Sequence, residues 1–226
     1  MPVVTPDFFQ CDALTLAPRL LGKVLRRHWQ GKWLAARIIE TEAYTLQDKG
    51  SHASLGYTHA RRALFMGAGT LYMYYARGGD SLNIGATGEG NAVLIKAAYP
   101  WQDKQSDEHA LAAMQTLNPD ASGLPRPLAR LCAGQTLLCR ALALKVPDWN
   151  ASEFDPLEFF LDDVGLAVPN VIQTTRLGIP TGRDETLPYR YVDAEFARYC
   201  TRNPLRRGQI EGQDYTWKRG GPDIRC

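Results

Sequence analysis

The sequence has little of what usually announces a function class. It carries five cysteines, Cys11, Cys132, Cys139, Cys200 and Cys226, an odd number with no Cys-x-x-Cys pair. That usage argues against a disulfide framework or a zinc ribbon and fits reduced thiols in a cytoplasm-like compartment. Cys132 and Cys139 stand seven apart, on one face if the stretch is helical, and read as small buried hydrophobes. The four histidines (His28, His52, His59, His109) have no ligand spacing with one another or with cysteine, so no metal site is expected. No apolar run approaches the length of a membrane span. The N-terminus, Met1-Pro-Val-Val-Thr-Pro-Asp7, lacks both a basic n-region and an apolar h-region. A cytoplasmic, soluble protein with no membrane partner is therefore expected. Net charge is only +2. Charge totals thus announce no nucleic-acid partner, and binding one would require basic residues gathered on one face. There is no internal repeat.

What is present is an ordinary globular composition. At 226 residues, 45% of them apolar, one domain over 1–226 is expected, with 203–226, polar and glycine-rich, as a candidate flexible tail. Residues 14–21 read as a short helix with Pro18 in its first turn and Gly22 as its stop. Residues 23–29 and 32–41 read as two strands of a hairpin turning at Gln30-Gly31. Residues 70–76 read as a strand with Tyr72 and Tyr74 on one face and Tyr75 on the other. Residues 82–96 place an asparagine and a lysine around a glycine loop, with 91–98 a further strand. Residues 101–117 read as an exposed helix, and 128–144 have helical spacing interrupted at Ala133-Gly134. Segments 159–163 and 169–174 are candidate strands.

The densest chemistry lies at Glu40-Thr41-Glu42-Ala43-Tyr44. In an extended strand side chains alternate, so Glu40, Glu42 and Tyr44 would share a face. Two carboxylates beside an aromatic ring suit acid or base work next to a flat ligand. They equally suit a surface strand with two solvated glutamates, and spacing alone favours that plainer reading. Tyrosine stripes such as Tyr72 and Tyr74 are likewise more often packing than binding, because aromatics favour strands. His52 lies in a polar, turn-rich loop, where a histidine is usually exposed and unremarkable.

Together, Glu40-Thr-Glu-Ala-Tyr44, His52 eight residues on, Gly69-Thr-Leu-Tyr-Met-Tyr74, Leu82-Asn-Ile84 and Val93-Leu-Ile-Lys-Ala97 form a more specific pattern. In order and spacing the chain resembles the alkyladenine (3-methylpurine) DNA glycosylase family, from about residue 5 to 192. The resemblance implies an α+β fold, a single compact domain with a curved, mainly antiparallel sheet surrounded by helices. It implies a monomeric, monofunctional enzyme of base excision repair without metal or cofactor. Its partner would be double-stranded DNA containing damaged purines. Such an enzyme must swing the base out of the stack, hold it, and activate a water against the sugar.

The resemblance also assigns roles. Glu42 would activate the water, with Lys96 and the main chain of Leu177 helping to place it. Tyr44 and Tyr74 would sandwich the base, His52 would close the pocket, and Tyr72 would sit beside it. Asn83 would crowd the amine of normal guanine. Glu40 would be structural or salt-bridged. Two departures from the family pattern stand out. Many members carry Arg where Lys96 stands, and lysine keeps the charge but loses the planar fork. Many carry Tyr-Gly where this chain has Arg77-Gly78, so the wedge that fills the gap in the duplex would be Arg77 or Tyr75. Arg61 and Arg62 are candidates for phosphate contact. Two alternatives share these residues. One is a damage-sensing DNA-binding module without excision, which would not need Glu42. The other is a hydrolase of free nucleosides, which would not need the arginines.

Overall fold

The computed structural model describes residues 3–76 and 78–219. Among them, nine strands form one open sheet in which every ladder is antiparallel. They are β1 (Val24–Trp29), β2 (Lys32–Tyr44), β3 (Leu71–Ala76), β4 (Gly79–Gly85), β5 (Ala92–Pro100), β6 (Phe159–Asp162), β7 (Asn170–Thr174), β8 (Arg190–Asp193) and β9 (Tyr215–Arg219). Five helices accompany them: α1 (Ala13–Arg19), α2 (Glu108–Leu117), α3 (Leu128–Leu131), α4 (Gln135–Ala141) and α5 (Val146–Trp149). None of the helices among the described residues is long and apolar enough to cross a membrane. The α+β class expected from the resemblance is the one observed.

The thirteen-residue β2 is the spine of the sheet. Its first half pairs with β1 across a two-residue hairpin, Trp29 facing Lys32. Gln30 and Gly31 both take positive φ (47° and 75°), the backbone whose twist matches the flanking strands. Along its other edge β2 pairs with β5, and its last part exchanges β1 for β8. At that exchange the β2–β5 register slips between Ile38 and Thr41. The slip works as a bulge, which re-aims side chains at the point where the partner changes.

One face of the sheet carries the main core. Ile38 and Ala43 of β2, Met73 of β3, Leu82 of β4 and Ile95 of β5 pack there with Leu16 of α1, Met114 of α2 and Leu138 of α4. Thr41 points to the same side and donates to the Ala17 carbonyl of α1 at 2.9 Å. The opposite face is divided. One part is a small apolar cluster of Ile39, Ala97, Ile172, Val192, Ala197 and Cys200. The other part is polar and holds Glu40, Glu42 and their partners.

Several expectations need correction. Asp12 accepts hydrogen bonds from the amides of Leu14 and Thr15, so α1 starts at Ala13 and Pro18 falls near its end, not in its first turn. The helix expected over 101–117 begins only at Glu108. The preceding segment is tied down through Asp103, which accepts from Arg26, the Trp101 indole and the amides of Gln105 and Ser106. Asn83 lies within β4, between β3 and β5, and with Lys96 of β5 it does bracket the glycine loop over 86–91. Within the candidate tail, 215–219 form β9 and pair with β7, while 220–226 lie outside the described residues. Cys132 and Cys139 are both fully buried in the main core, but on separate helical segments, since the chain breaks at 133–134.

Glu40 is a structural residue. Its carboxylate has no exposed surface, accepts from Arg190 Nε at 2.6 Å and takes the Thr201 amide at 2.9 Å. Removing one member of a buried pair leaves the other charge without compensation. Arg190→Ala should therefore lose about 3–5 kcal/mol of stability in urea unfolding at neutral pH. A loss below about 1 kcal/mol would mean the pair is not what holds β2 to β8.

Candidate active site

Antiparallel register lines up one row of residues across five strands. Tyr72 of β3 faces Asn83 of β4, Asn83 faces Leu94 of β5, Leu94 faces Glu42 of β2, and Glu42 faces Arg190 of β8. Side chains opposite one another in a ladder lie on the same face. The row therefore forms a polar floor on the side away from the main core.

Glu42 is the most constrained group in that row. Its Oε2 accepts from the Tyr44 hydroxyl at 2.8 Å and from Lys96 Nζ at 3.4 Å, and its Oε1 accepts from the Leu177 amide at 2.9 Å. The carboxylate has no exposed surface and Lys96 is 4% exposed. An ionised carboxylate can stay buried only with such donors around it. Burial, and then the charge and hydrogen bond of Glu42, push the Tyr44 phenol well above its usual range. Tyr44 therefore keeps its proton and remains the donor.

Beside the carboxylate is a cavity of about 330 Å³, at the small end of ligand pockets, which run to about 1,000 Å³. Tyr44, His52, Tyr72, Tyr74, Asn83, Lys96 and Leu177 all line it. Glu42 does not itself line it but is bonded to three residues that do, Tyr44, Lys96 and Leu177. The rings of Tyr72 and Tyr74 stack at 5.4 Å and 21°. The His52 imidazole meets Tyr74 edge-on at 4.4 Å, and its Nδ1 is 3.0 Å from the Tyr72 hydroxyl. Asn83 donates to the Tyr72 carbonyl at 3.0 Å, which fixes its amide at the floor. Among the described residues, no group of three His, Cys, Asp or Glu could hold a metal ion.

The other described candidates, Arg61, Arg62 and Tyr75, do not line the cavity. Arg61 and Arg62 are on a 3-10 segment, His59–Phe65, whose Leu64 lines the cavity. Arg61 donates to the carbonyls of Gly56 and Leu55, and Arg62 to that of His59. Tyr75 is 67% exposed and leaves β3 on the face opposite Tyr72 and Tyr74. Arg77 lies outside the described residues.

Three residues that sequence reasoning passed over also belong to the site. Arg183 lines the cavity and donates through Nε and Nη2 to the Lys49 carbonyl, closing the loop that carries His52. Arg176 has a fully buried side chain and forms a two-pronged pair with Asp48. Its guanidinium carbon lies 4.5 Å from the centre of the Tyr44 ring. Arg176 and Asp48 are 128 residues apart in sequence, and only the position beside Leu177 hinted at Arg176.

A family model described as Methylpurine-DNA glycosylase (MPG) matches residues 7–196. A protein of Pseudomonas savastanoi pv. phaseolicola is 66% identical over 216 residues, 95% of this chain and 97% of that protein. One from Pseudomonas aeruginosa is 65% identical over 211 residues, 93% of this chain and 88% of that protein. One from the more distant Methanocella arvoryzae is 33% identical over 198 residues, 85% and 93% of the two chains. Each carries the name "Putative 3-methyladenine DNA glycosylase".

The state of His52 is open to measurement. The residue is exposed at the mouth, but its ring packs on Tyr72 and Tyr74. That desolvation first, then the charges of Arg61 and Arg183, lowers its pKa from the ordinary 6.5. The unfolded chain thus takes up this proton more readily than the folded one. The stability contributed by neutral His52 is complete above pH 6.5 and is lost as pH falls through the lower folded value. Histidine NMR should give His52 a midpoint below 6.5, and Arg61→Gln should raise it. A midpoint at or above 6.5 would contradict this environment.

Proposed function

The chain belongs to the methylpurine-DNA glycosylase family, and from that premise we propose how it works and on what. It is a hydrolase of N-glycosidic bonds that acts on DNA. Its substrates are alkylated purines in double-stranded DNA, 3-methyladenine and 7-methylguanine, with hypoxanthine or ethenoadenine as further members. It releases the base and leaves an abasic site, without a strand-cleaving step and without a cofactor. The observation that carries the reading is the caged Glu42 carboxylate behind a cavity lined by three tyrosines and a histidine.

The target bond is buried in the base stack, so the nucleotide must leave the duplex. The cavity takes the swung-out purine, with Tyr44 on one face and Tyr74 on the other, and stacking of this kind is worth about 1–3 kcal/mol per base. Asn83, held at the floor by the Tyr72 carbonyl, meets the base edge and crowds the exocyclic amine of normal guanine. Arg61 and Arg62 contact the phosphates of the duplex, and Tyr75 or Arg77 serves as the wedge that fills the gap left by the swung-out nucleotide. Methylation at N3 or N7 makes the purine cationic, which improves both its stacking on a ring face and its departure as a leaving group.

The sugar side of the cavity meets Lys96 and Leu177. The Lys96 contact with Glu42, at 3.4 Å, is the longest of the three holds on the carboxylate, beyond the usual hydrogen-bond range. A water entering between Lys96 and Glu42 exchanges that contact for its own, while Tyr44 and Leu177 keep the carboxylate in place. Glu42 takes the proton as water attacks the sugar and stabilises the positive charge that grows there, as carboxylates do in glycoside hydrolysis. The main-chain carbonyl of Leu177 helps hold the same water.

Glu42→Gln should lower single-turnover base release about 100- to 10,000-fold while binding of damaged duplex changes little. Excision at near wild-type rate would remove Glu42 from the chemistry. Affinity for undamaged duplex should fall steeply with added salt, because phosphate contacts alone support it. A flat salt profile, with release from free methylated nucleosides, would point to a nucleoside hydrolase instead.

A further inference from the structure

We propose that Arg176 sets the charge preference of the pocket, tempering its affinity for cationic purines and widening its range toward neutral ones. This role rests on the reading of Tyr44 as a stacking face. The guanidinium lies 4.5 Å from the Tyr44 ring centre, and its side chain has no exposed surface. It also sits 5.4 Å from the Tyr189 ring. One π-face of Tyr44 is thus occupied by a permanent, desolvated cation, and the ring lines the cavity in front of it.

An aromatic ring attracts cations through the negative charge of its faces. A cation already in contact with one face draws that charge toward itself. A cationic base on the other face then meets a less negative surface and, behind it, a like charge. A neutral purine loses nothing by this and still stacks. Asp48 neutralises Arg176 as a pair, but the guanidinium is the member that touches the ring. Glu42 pushes the other way through the Tyr44 hydroxyl, but at the ring's edge rather than over its face. Arg176 is therefore a positioning residue with an electrostatic output.

It also has a purely mechanical role, which the test must separate. Arg176 donates to the Ala43 carbonyl at 3.1 Å and anchors Asp48, four residues before His52. The residue after it, Leu177, holds Glu42. Any substitution here should slow excision of every substrate. A mechanical defect lowers all rates in proportion, whereas loss of the charge changes their ratio.

The experiment compares single-turnover excision from duplexes holding one 7-methylguanine, cationic at mildly acidic pH, or one hypoxanthine, which is neutral. The variants are Arg176→Lys and the charge-neutral double substitution Arg176→Gln with Asp48→Asn, each checked by thermal melting. The double variant should raise the ratio of cationic to neutral excision about five- to tenfold, whatever its absolute rates. Arg176→Lys keeps the charge and should hold the ratio within about twofold of wild type, although both rates fall. An unchanged ratio in a folded double variant overturns the proposal. So does a comparable rise in Arg176→Lys, which remains decisive if the double variant does not fold. Failure of the wild-type chain to release either base would overturn the underlying function itself.

Discussion

The site depends on how one carboxylate is held out of water. Glu42 has no exposed surface, yet it is held by donors from three separate parts of the chain: its own strand through Tyr44, β5 through Lys96, and the segment after β7 through Leu177. A buried carboxylate without such partners would take up a proton or destabilise the fold by several kcal/mol. With them it is fixed in one place at both of its oxygens.

The sheet makes this possible by keeping its two faces distinct. One face carries an apolar core with α1, α2 and α4 packed on it, and stabilises the fold in the ordinary way. The other can then hold charge. Buried pairs around it include Glu40 with Arg190, Glu42 with Lys96, and Asp48 with Arg176. The bulge between Ile38 and Thr41 is the hinge of the arrangement, because there β2 leaves β1, joins β8 and turns both glutamates to the polar side.

Much of this was legible in the sequence. The Gln30-Gly31 hairpin and the face shared by Tyr72 and Tyr74 followed from turn chemistry and alternation, and the structural role of Glu40 from the family resemblance. The family pattern gathered Tyr44, His52, Tyr72, Tyr74, Asn83, Lys96 and Leu177, and these do line one cavity. What escaped notice had no local signal. β4 reads Gly-Asp-Ser-Leu-Asn-Ile-Gly, too polar for a typical strand, and is stabilised by pairing on both sides. β9 lies in a glycine-rich stretch and exists through its ladder to β7. The Arg176–Asp48 pair joins positions 128 residues apart, a contact that only the folded chain creates.

The account turns on whether the cage around Glu42 opens to admit a water when a nucleotide enters. A crystal structure with duplex DNA carrying a cationic pyrrolidine in place of the target sugar would decide it. The account requires an ordered water, or the pyrrolidine nitrogen, within about 3 Å of the Glu42 carboxylate, with Lys96 displaced and Tyr44 and Leu177 still donating. A flipped sugar seated in the cavity while Lys96 still seals Glu42, with no water in reach, would contradict it.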